Sequence, residues 1–407
     1  MTVRIYRGPT FDPLEPGFTT DPYDQYARLR AADPVHRSAL GPWVLSRYED
    51  VNRLLRDPST SVDRDSSTGT RNQVLVDAFG ERRNRGTRSM LNADPPDHTR
   101  LRRLVSKAFT PRMVEGLRPR AQAVTDALLD AVDGPEVDLI AAVAFPLPFT
   151  VICDMLGMPV GETRDEVRAW SHTLAGALEP IISPEQANAA AQASDHLRAH
   201  LLEVLTAKRR APGEDLLSAL LLAEDDGDVL SIDELLDQVN LLFVAGHETT
   251  VNLIGNGVLA LLRHPDQLDR LRRDPSLVVN ATDELLRWDS PVQISRRILL
   301  ADQTIGGVDL PAGSFVLTLL GSANRDEARW GEDAAALDVG REGAGQHLSF
   351  GAGIHHCLGA ALARVEGQVA FGSLLARYPG MALATDTPAW NGRVLLRGLD
   401  SLPVSLG

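Results

Sequence analysis

One cysteine, in the run HLSFGAGIHHCLGAALARVEG from His347 to Gly367, stands where a thiolate could form. Cys357 follows a Phe-Gly-x-Gly loop and opens a stretch whose apolar spacing predicts a helix over 357–377. A free cysteine titrates above neutral pH, so its thiolate needs help. The start of a helix supplies that help through unpaired N–H groups and the positive end of the macrodipole. Gly351 and Gly353 allow a tight turn and a close backbone approach to something flat, and Gly359 keeps the first helical turn slim. A cysteine thiolate is one of the few protein groups that ligate haem iron axially, where it pushes electron density toward O–O cleavage. Other chemistries suit the segment less well. A dinucleotide fingerprint would need a third glycine where His356 stands. A zinc site would need about four ligands at chelating spacing. His355, His356 and Cys357 are adjacent, with no second cysteine nearby.

A second constellation, AGHETT from Ala245 to Thr250, lies inside an apolar-periodic segment over 232–262. Ser231 and Glu234 have the spacing of a capping box at its start. A glycine inside a helix costs about 0.5–1 kcal/mol relative to alanine, so Gly246 has a reason to be there. Small residues followed by an acid and two hydroxyls can loosen the hydrogen-bond ladder and open a groove for water or a diatomic molecule. By itself the segment could equally be a close helix–helix contact. Glu284 and Arg287, three apart, face one another on a helix. His98 and Arg102, four apart behind Pro95-Pro96, project from one face of another. Arg296 and Arg297 alternate on a strand, so only one of them can point inward.

Together Phe350, Gly351, Gly353, His355, Cys357 and Gly359 resemble the haem-binding loop of the cytochrome P450 haem-thiolate monooxygenases, and the likeness runs from Pro22 to Pro403. The resemblance implies a mainly α fold with a small β region, with haem b between a long central helix and the cysteine-bearing one. It implies that Cys357 is the axial ligand, that Ala245, Phe350, Gly351 and Gly359 contact the haem, and that His98, Arg102, Arg297 and His355 bind its propionates. Glu248 and Thr249 would manage protons for the activation of O2, and Glu284 and Arg287 would form a buried structural pair. The stretch Ala334 to Asp338 lacks the arginine or histidine that commonly completes that pair, leaving Arg341 or a backbone carbonyl to substitute. Leu241, Val244, Gln293 and Leu396 are expected to line the distal pocket, with Arg83–Leu91 as a flexible lid. Electrons would come from NAD(P)H through a ferredoxin reductase and an acidic ferredoxin. The substrate would be a hydrophobic small molecule, such as a secondary metabolite. Oxidative coupling, peroxygenation or dehydration on the same scaffold, or a non-enzymatic haem sensor, are the alternatives.

Composition fits this picture. The chain has 407 residues, 43% of them hydrophobic, and a formal charge of −14. Yet positions 81–120 hold eleven basic residues against four acidic ones, a patch suited to an acidic protein partner. Nucleic acid is not expected for so acidic a chain without stacking aromatics. Of the two cysteines, Cys153 sits in the apolar run PLPFTVICDMLGMP and reads as a plain buried thiol, which argues against a disulfide framework and for a reducing compartment. The start, MTVRIYRGPTFDPLEPG, has no apolar run, so a soluble, cytoplasmic monomer without a membrane anchor is expected. The periodicity predicts helices over 121–132, 195–209, 232–262 and 357–377, and strands over 43–46, 298–301, 304–305 and 314–320. Groups needed at one haem come from positions 98 to 357, so 1–407 is expected to fold as a single domain, with 1–20 partly irregular.

Overall fold

The computed structural model describes residues 10–39, 41–63, 66–67, 89–159, 161–179, 182–225 and 227–407. Positions 83–88 of the expected lid lie outside the described residues. So do Arg82, Arg83, Arg85 and Arg88 of the basic run, and the first nine positions of the N-terminal extension.

The axis of the molecule is the helix Ile232–Arg263, 32 residues long. The Ser231 hydroxyl accepts from the Glu234 amide at 3.2 Å, and the Glu234 carboxylate accepts from the Ser231 amide at 2.8 Å, so the expected capping box is formed. Arg100, on the helix Asp97–Ala108, binds both Glu234 and Asp228 and fastens the start of the central helix to its neighbour. From Val251 to Leu261 every residue of the central helix is buried, as a helix surrounded on all sides must be. Its glycines are contact points. A Cβ at Gly257 would stand 2.5 Å from Cζ of Phe371 on the helix Ala360–Arg377. At Gly246 it would come within 2.9 Å of Ile152 on the helix Pro146–Leu156. Gly246 is therefore explained by packing as well as by its place in AGHETT.

Two expectations about helices are corrected. The cysteine helix begins at Ala360 rather than Cys357, with Gly359 at its N-cap, so the cysteine lies in the loop ahead of it. The helix expected over 195–209 runs Pro184–Arg210, because a second capping box, Ser183 with Gln186, and Pro184 at the first position start it sooner. The helix expected over 121–132 is Arg118–Asp130.

A five-stranded sheet flanks the helices in the order Val35–Arg37, Trp43–Leu45, Phe315–Leu319, Ile294–Leu299, Thr60–Ser61. Its fourth strand starts earlier than the expected 298–301: Pro291 has no N–H for a ladder, and pairing with Phe315–Leu319 begins at Ile294. Arg297 sits opposite Val316, and Arg296 opposite Leu317. Gln303–Ile305 pairs with Val308–Leu310 in a separate hairpin. Cys153 is buried as expected, and burial pushes its thiol up to about 12, leaving it inert.

Glu284 and Arg287, on the helix Val278–Trp288, are both fully buried and bonded twice, at 2.7 and 2.8 Å. Both expected substitutes for the missing third partner are used. Arg341 donates to Glu284 at 3.2 Å, while Arg287 donates to the carbonyls of Asn324, Ala334 and Ala336. The guanidinium thus ties the segment 324–341, which leads into the cysteine loop, to the helix beneath it. Removing one member of a buried pair strands a charge, so Arg287→Ala should cost about 3–5 kcal/mol. Denaturant unfolding of the variant, together with its haem content, checks this.

Candidate active site

The loop around Cys357 is shaped by two left-handed glycines. Gly351 has φ +67° and Gly353 φ +72°, and a Cβ on Gly353 would strike the carbonyl oxygen of Leu55. The turn closes when the Cys357 amide donates to the Phe350 carbonyl at 2.9 Å. Arg364 lies 4.6 Å over the Phe350 ring and fixes it. The Cys357 sulfur is accessible yet strongly desolvated, the combination expected at the floor of an internal cleft. Burial pushes its thiol above the usual range, opposed by the amides of Gly359 and Ala360 and by the charges of Arg102 and Arg364. A cation bound to the sulfur would reverse that balance, because a coordinating thiol gives up its proton. A Cβ on Gly359 would meet only the sulfur, at 3.9 Å, so the space beyond it is open.

Beside the sulfur is a cluster of basic groups short of anions. His98 is buried, and among the described residues neither ring nitrogen has a hydrogen-bond partner. Its ring lies 4.3 Å from that of His355. Burial, then His98 and Arg297, push His355 down to about 3. Arg297 is buried, and burial pushes it down to about 10. Among the described residues it donates only to Ser295 and to the carbonyls of Arg296 and Leu55. Arg296 turns away to Asn92 at 2.9 Å, so of the two arginines Arg297 is the inward one. Asp94 is the acid nearby, but its carboxylate already holds Ser61 and the Val62 amide. Orphaned histidine nitrogens and a buried arginine without a carboxylate leave room here for an anionic group that accepts hydrogen bonds. The two propionates of a haem, its iron on Cys357, fit these residues.

In the middle of the central helix some positions keep accessible surface. Leu241, Leu242, Gly246 and Thr249 are half-buried and Ala245 is exposed, while Phe243, Val244, His247, Glu248 and Thr250 are buried. Residues four apart share a face, so Leu241, Ala245 and Thr249 form one stripe along the helix. The Thr249 hydroxyl donates to the Ala245 carbonyl at 3.0 Å, within its own turn. Glu248 points elsewhere. It is buried, with His172 at 3.5 Å on one oxygen and Arg393 at 3.5 Å on the other. Burial would push its carboxyl up, but His172, His247 and Arg393 outweigh that and hold it below the usual range. His172 is 59% exposed and forms the solvent end of this chain of groups. His247 is buried between Ser171, at 3.0 Å, and the Phe243 carbonyl, at 2.8 Å.

Among the expected pocket residues, Leu241 lies on the stripe, while Val244 and Leu396 are buried. Gln293 makes structural contacts. Its side-chain amide donates to Tyr23 and Ser290, it packs on Gly321, and it is buried at a structural junction. Val292, one position earlier and bridged to Leu396, is half-buried instead. The basic patch is also partly spent. Arg100 and Arg120 pair with acids of other elements, Arg118 pairs with Glu115, Lys107 reaches the Glu224 carbonyl, and Arg102 lies close to Cys357. Sequence reasoning missed His172, Arg393, Arg364 and Glu366, whose significance arises only from contacts across the chain.

Residues 43–382 match the family model described as Cytochrome P450. The chain is 47% identical over 408 residues to "Cytochrome P450 107B1" of Saccharopolyspora erythraea, covering 97% of each chain. It is 45% identical to the "Vitamin D(3) 25-hydroxylase" of Pseudonocardia autotrophica, covering 96% of this chain and 95% of that one. The solved structure of the bacillaene polyketide synthase cytochrome P450 PksS of Bacillus subtilis superposes with a TM-score of 0.87 at 36% identity, covering 98% of this chain and all of that one.

Proposed function

The chain belongs to the cytochrome P450 family, whose members use haem and O2, and we propose that it is a haem-thiolate monooxygenase of a hydrophobic secondary metabolite. The observation that carries this reading is the anion-starved cluster of His98, Arg102, Arg297 and His355 beside the Cys357 sulfur. In the proposal Cys357 holds the iron of haem b and the cluster holds its propionates. When bound, the haem supplies O–O cleavage and insertion of one oxygen atom into the substrate. The protein supplies binding, orientation and protons.

Leu241, Leu242, Val292 and Leu395, all partly buried and apolar, give the pocket few polar anchors, with Val244 and Leu396 behind them. Such a surface suits a large, mostly hydrocarbon skeleton. The names of two relatives, one for vitamin D(3) and one for a polyketide, support that class. Thr249 offers a hydroxyl on the same stripe as Leu241, and Glu248 takes protons from solvent by way of His172. Electrons come from NAD(P)H through a reductase and an acidic ferredoxin, which docks on the cysteine side. The whole chain acts as one catalytic unit, as a cytoplasmic monomer. Among the described residues no helix is long and apolar enough to cross a membrane.

Reconstitution with ferredoxin, its reductase and NADPH tests the reading, using compounds first chosen by their shift of the ferric Soret band. Oxygenated product is expected; a pigment that binds carbon monoxide but oxidises none of them would favour a sensor. Thr249→Ala should lower product formation about a hundredfold, the usual scale for a proton-transfer group. The lost electrons should appear as hydrogen peroxide, measured against NADPH consumed.

A further inference from the structure

Three consecutive backbone amides, those of Val394, Leu395 and Leu396, all donate to one carboxylate, that of Glu179, at 2.8 to 3.2 Å. Glu179 lies just beyond the helix Arg164–Gly176, and the amides belong to a loop more than two hundred residues later in the chain. A carboxylate accepting several N–H bonds makes a strong, charge-assisted joint. The loop is stiffened from within as well. Asn391 accepts from the Arg393 amide at 3.0 Å and donates to the Leu396 carbonyl at 2.9 Å.

What the joint fixes is Arg393. Its guanidinium reaches Glu248 at 3.5 Å with one nitrogen and the His172 ring at 3.1 Å with the other. His172 and Ser171 come from the same helix that Glu179 follows, and they touch Glu248 and His247 of the central helix. Helix, loop and acid are thus closed into one ring of contacts, and Leu395 and Leu396 of the loop belong to the pocket proposed above. We propose that Glu179 is a positioning residue. By pinning the loop that carries Arg393, it keeps Glu248 in its ion-paired orientation and latches the helix Arg164–Gly176 against the central helix. Releasing this latch withdraws the cation from Glu248 and loosens the helix from the central helix, so the seating of the helix and the ion-paired state of Glu248 are one event. The assignment rests on the function proposed above.

The test uses the haem-loaded protein as wild type, E179Q, R393Q, R393K and E179Q/R393Q. Amide hydrogen exchange is followed over 391–396. Binding of 4-phenylimidazole, an azole whose nitrogen takes the iron, is followed as a Soret shift in stopped flow. Losing a charged acceptor shared by three amides should speed exchange at 394–396 in E179Q about tenfold or more. Azole association and dissociation should quicken by a similar factor. The two single substitutions break the same ring, so the double variant should be no faster than the faster single one, whereas independent structural effects would multiply. R393K, which keeps the charge, should restore near-wild-type azole kinetics. Unchanged azole kinetics in E179Q, or effects that multiply in the double variant, would overturn the proposal. A wild-type pigment without a thiolate-type carbonyl spectrum would defeat the function instead. Amide exchange would then decide the latch alone, unchanged rates in E179Q sinking it and faster ones upholding it.

Discussion

Cys357→His should yield a protein whose reduced carbonyl adduct has the spectrum of a nitrogen-coordinated haem, and whose oxidation of substrate has fallen at least about a hundredfold. Changes behind a metal's ligands alone cost about 10–100-fold, so exchanging the ligand sets a floor at the upper end of that range. The physical reason is charge. The amides of Gly359 and Ala360, with Arg102 and Arg364, oppose the burial of Cys357 by favouring an anion at that point. A neutral imidazole uses none of this field and donates less electron density to the iron. Cys153→Ala is the control, since that thiol is buried away from the loop and pushed up to about 12. It should leave the spectrum untouched. A Cys357→His protein that kept the thiolate-type spectrum would show that another group holds the iron.

Glu366→Gln should stabilise the protein, increasingly so as pH rises. Glu366 is fully buried on the cysteine helix, and neither carboxylate oxygen has a well-formed hydrogen bond, although the Thr250 hydroxyl is near enough to lower its pKa slightly. Burial pushes the carboxyl up to about 8 from an ordinary value of 4.5. The sign follows from proton counting. Between those two values the folded chain holds a proton that the unfolded chain has lost, so stability falls as pH rises. The contribution is fully present below 4.5 and gone above 8. Glutamine keeps the shape and has nothing to titrate, so at pH 7 the variant should be about 3 kcal/mol more stable than it is, relative to wild type, in acid. Denaturant unfolding of both proteins from pH 5 to 9 measures the difference. Parallel curves would mean that Glu366 keeps no buried proton.

Several parts of the site were legible because they are written over short distances. The Cys357 loop, the Glu248–Thr249 pair, Glu284 with Arg287, and His98 with Arg102 each fall within one turn of helix or one loop. There residue spacing fixes which side chains share a face. Strand alternation likewise allowed only one of Arg296 and Arg297 to point inward, and the pairing with Phe315–Leu319 chose Arg297. The cysteine helix was read to within a few residues of its start, and the central helix to its capping box. Gln293 shows the limit of reading by position. Spacing could not show that its side-chain amide is engaged by Tyr23 and Ser290 and packed on Gly321.

By itself, then, the sequence singled out Cys357, its glycine turn, Glu248 with Thr249, and the basic residues His98, Arg102, Arg297 and His355. All of these follow from local backbone geometry and side-chain chemistry. Only the tertiary structure decided that Arg341 and three carbonyls complete the Glu284–Arg287 pair. It alone decided that His172 and Arg393 hold Glu248, that Glu179 fastens the loop carrying Arg393, and that Glu366 is buried with, among the described residues, no cation beside it and only the Thr250 hydroxyl near. Those contacts join segments far apart in the chain, where no periodicity links the residues. They exist because packing the helices around Ile232–Arg263 brings the segments together and removes the water that would otherwise screen them.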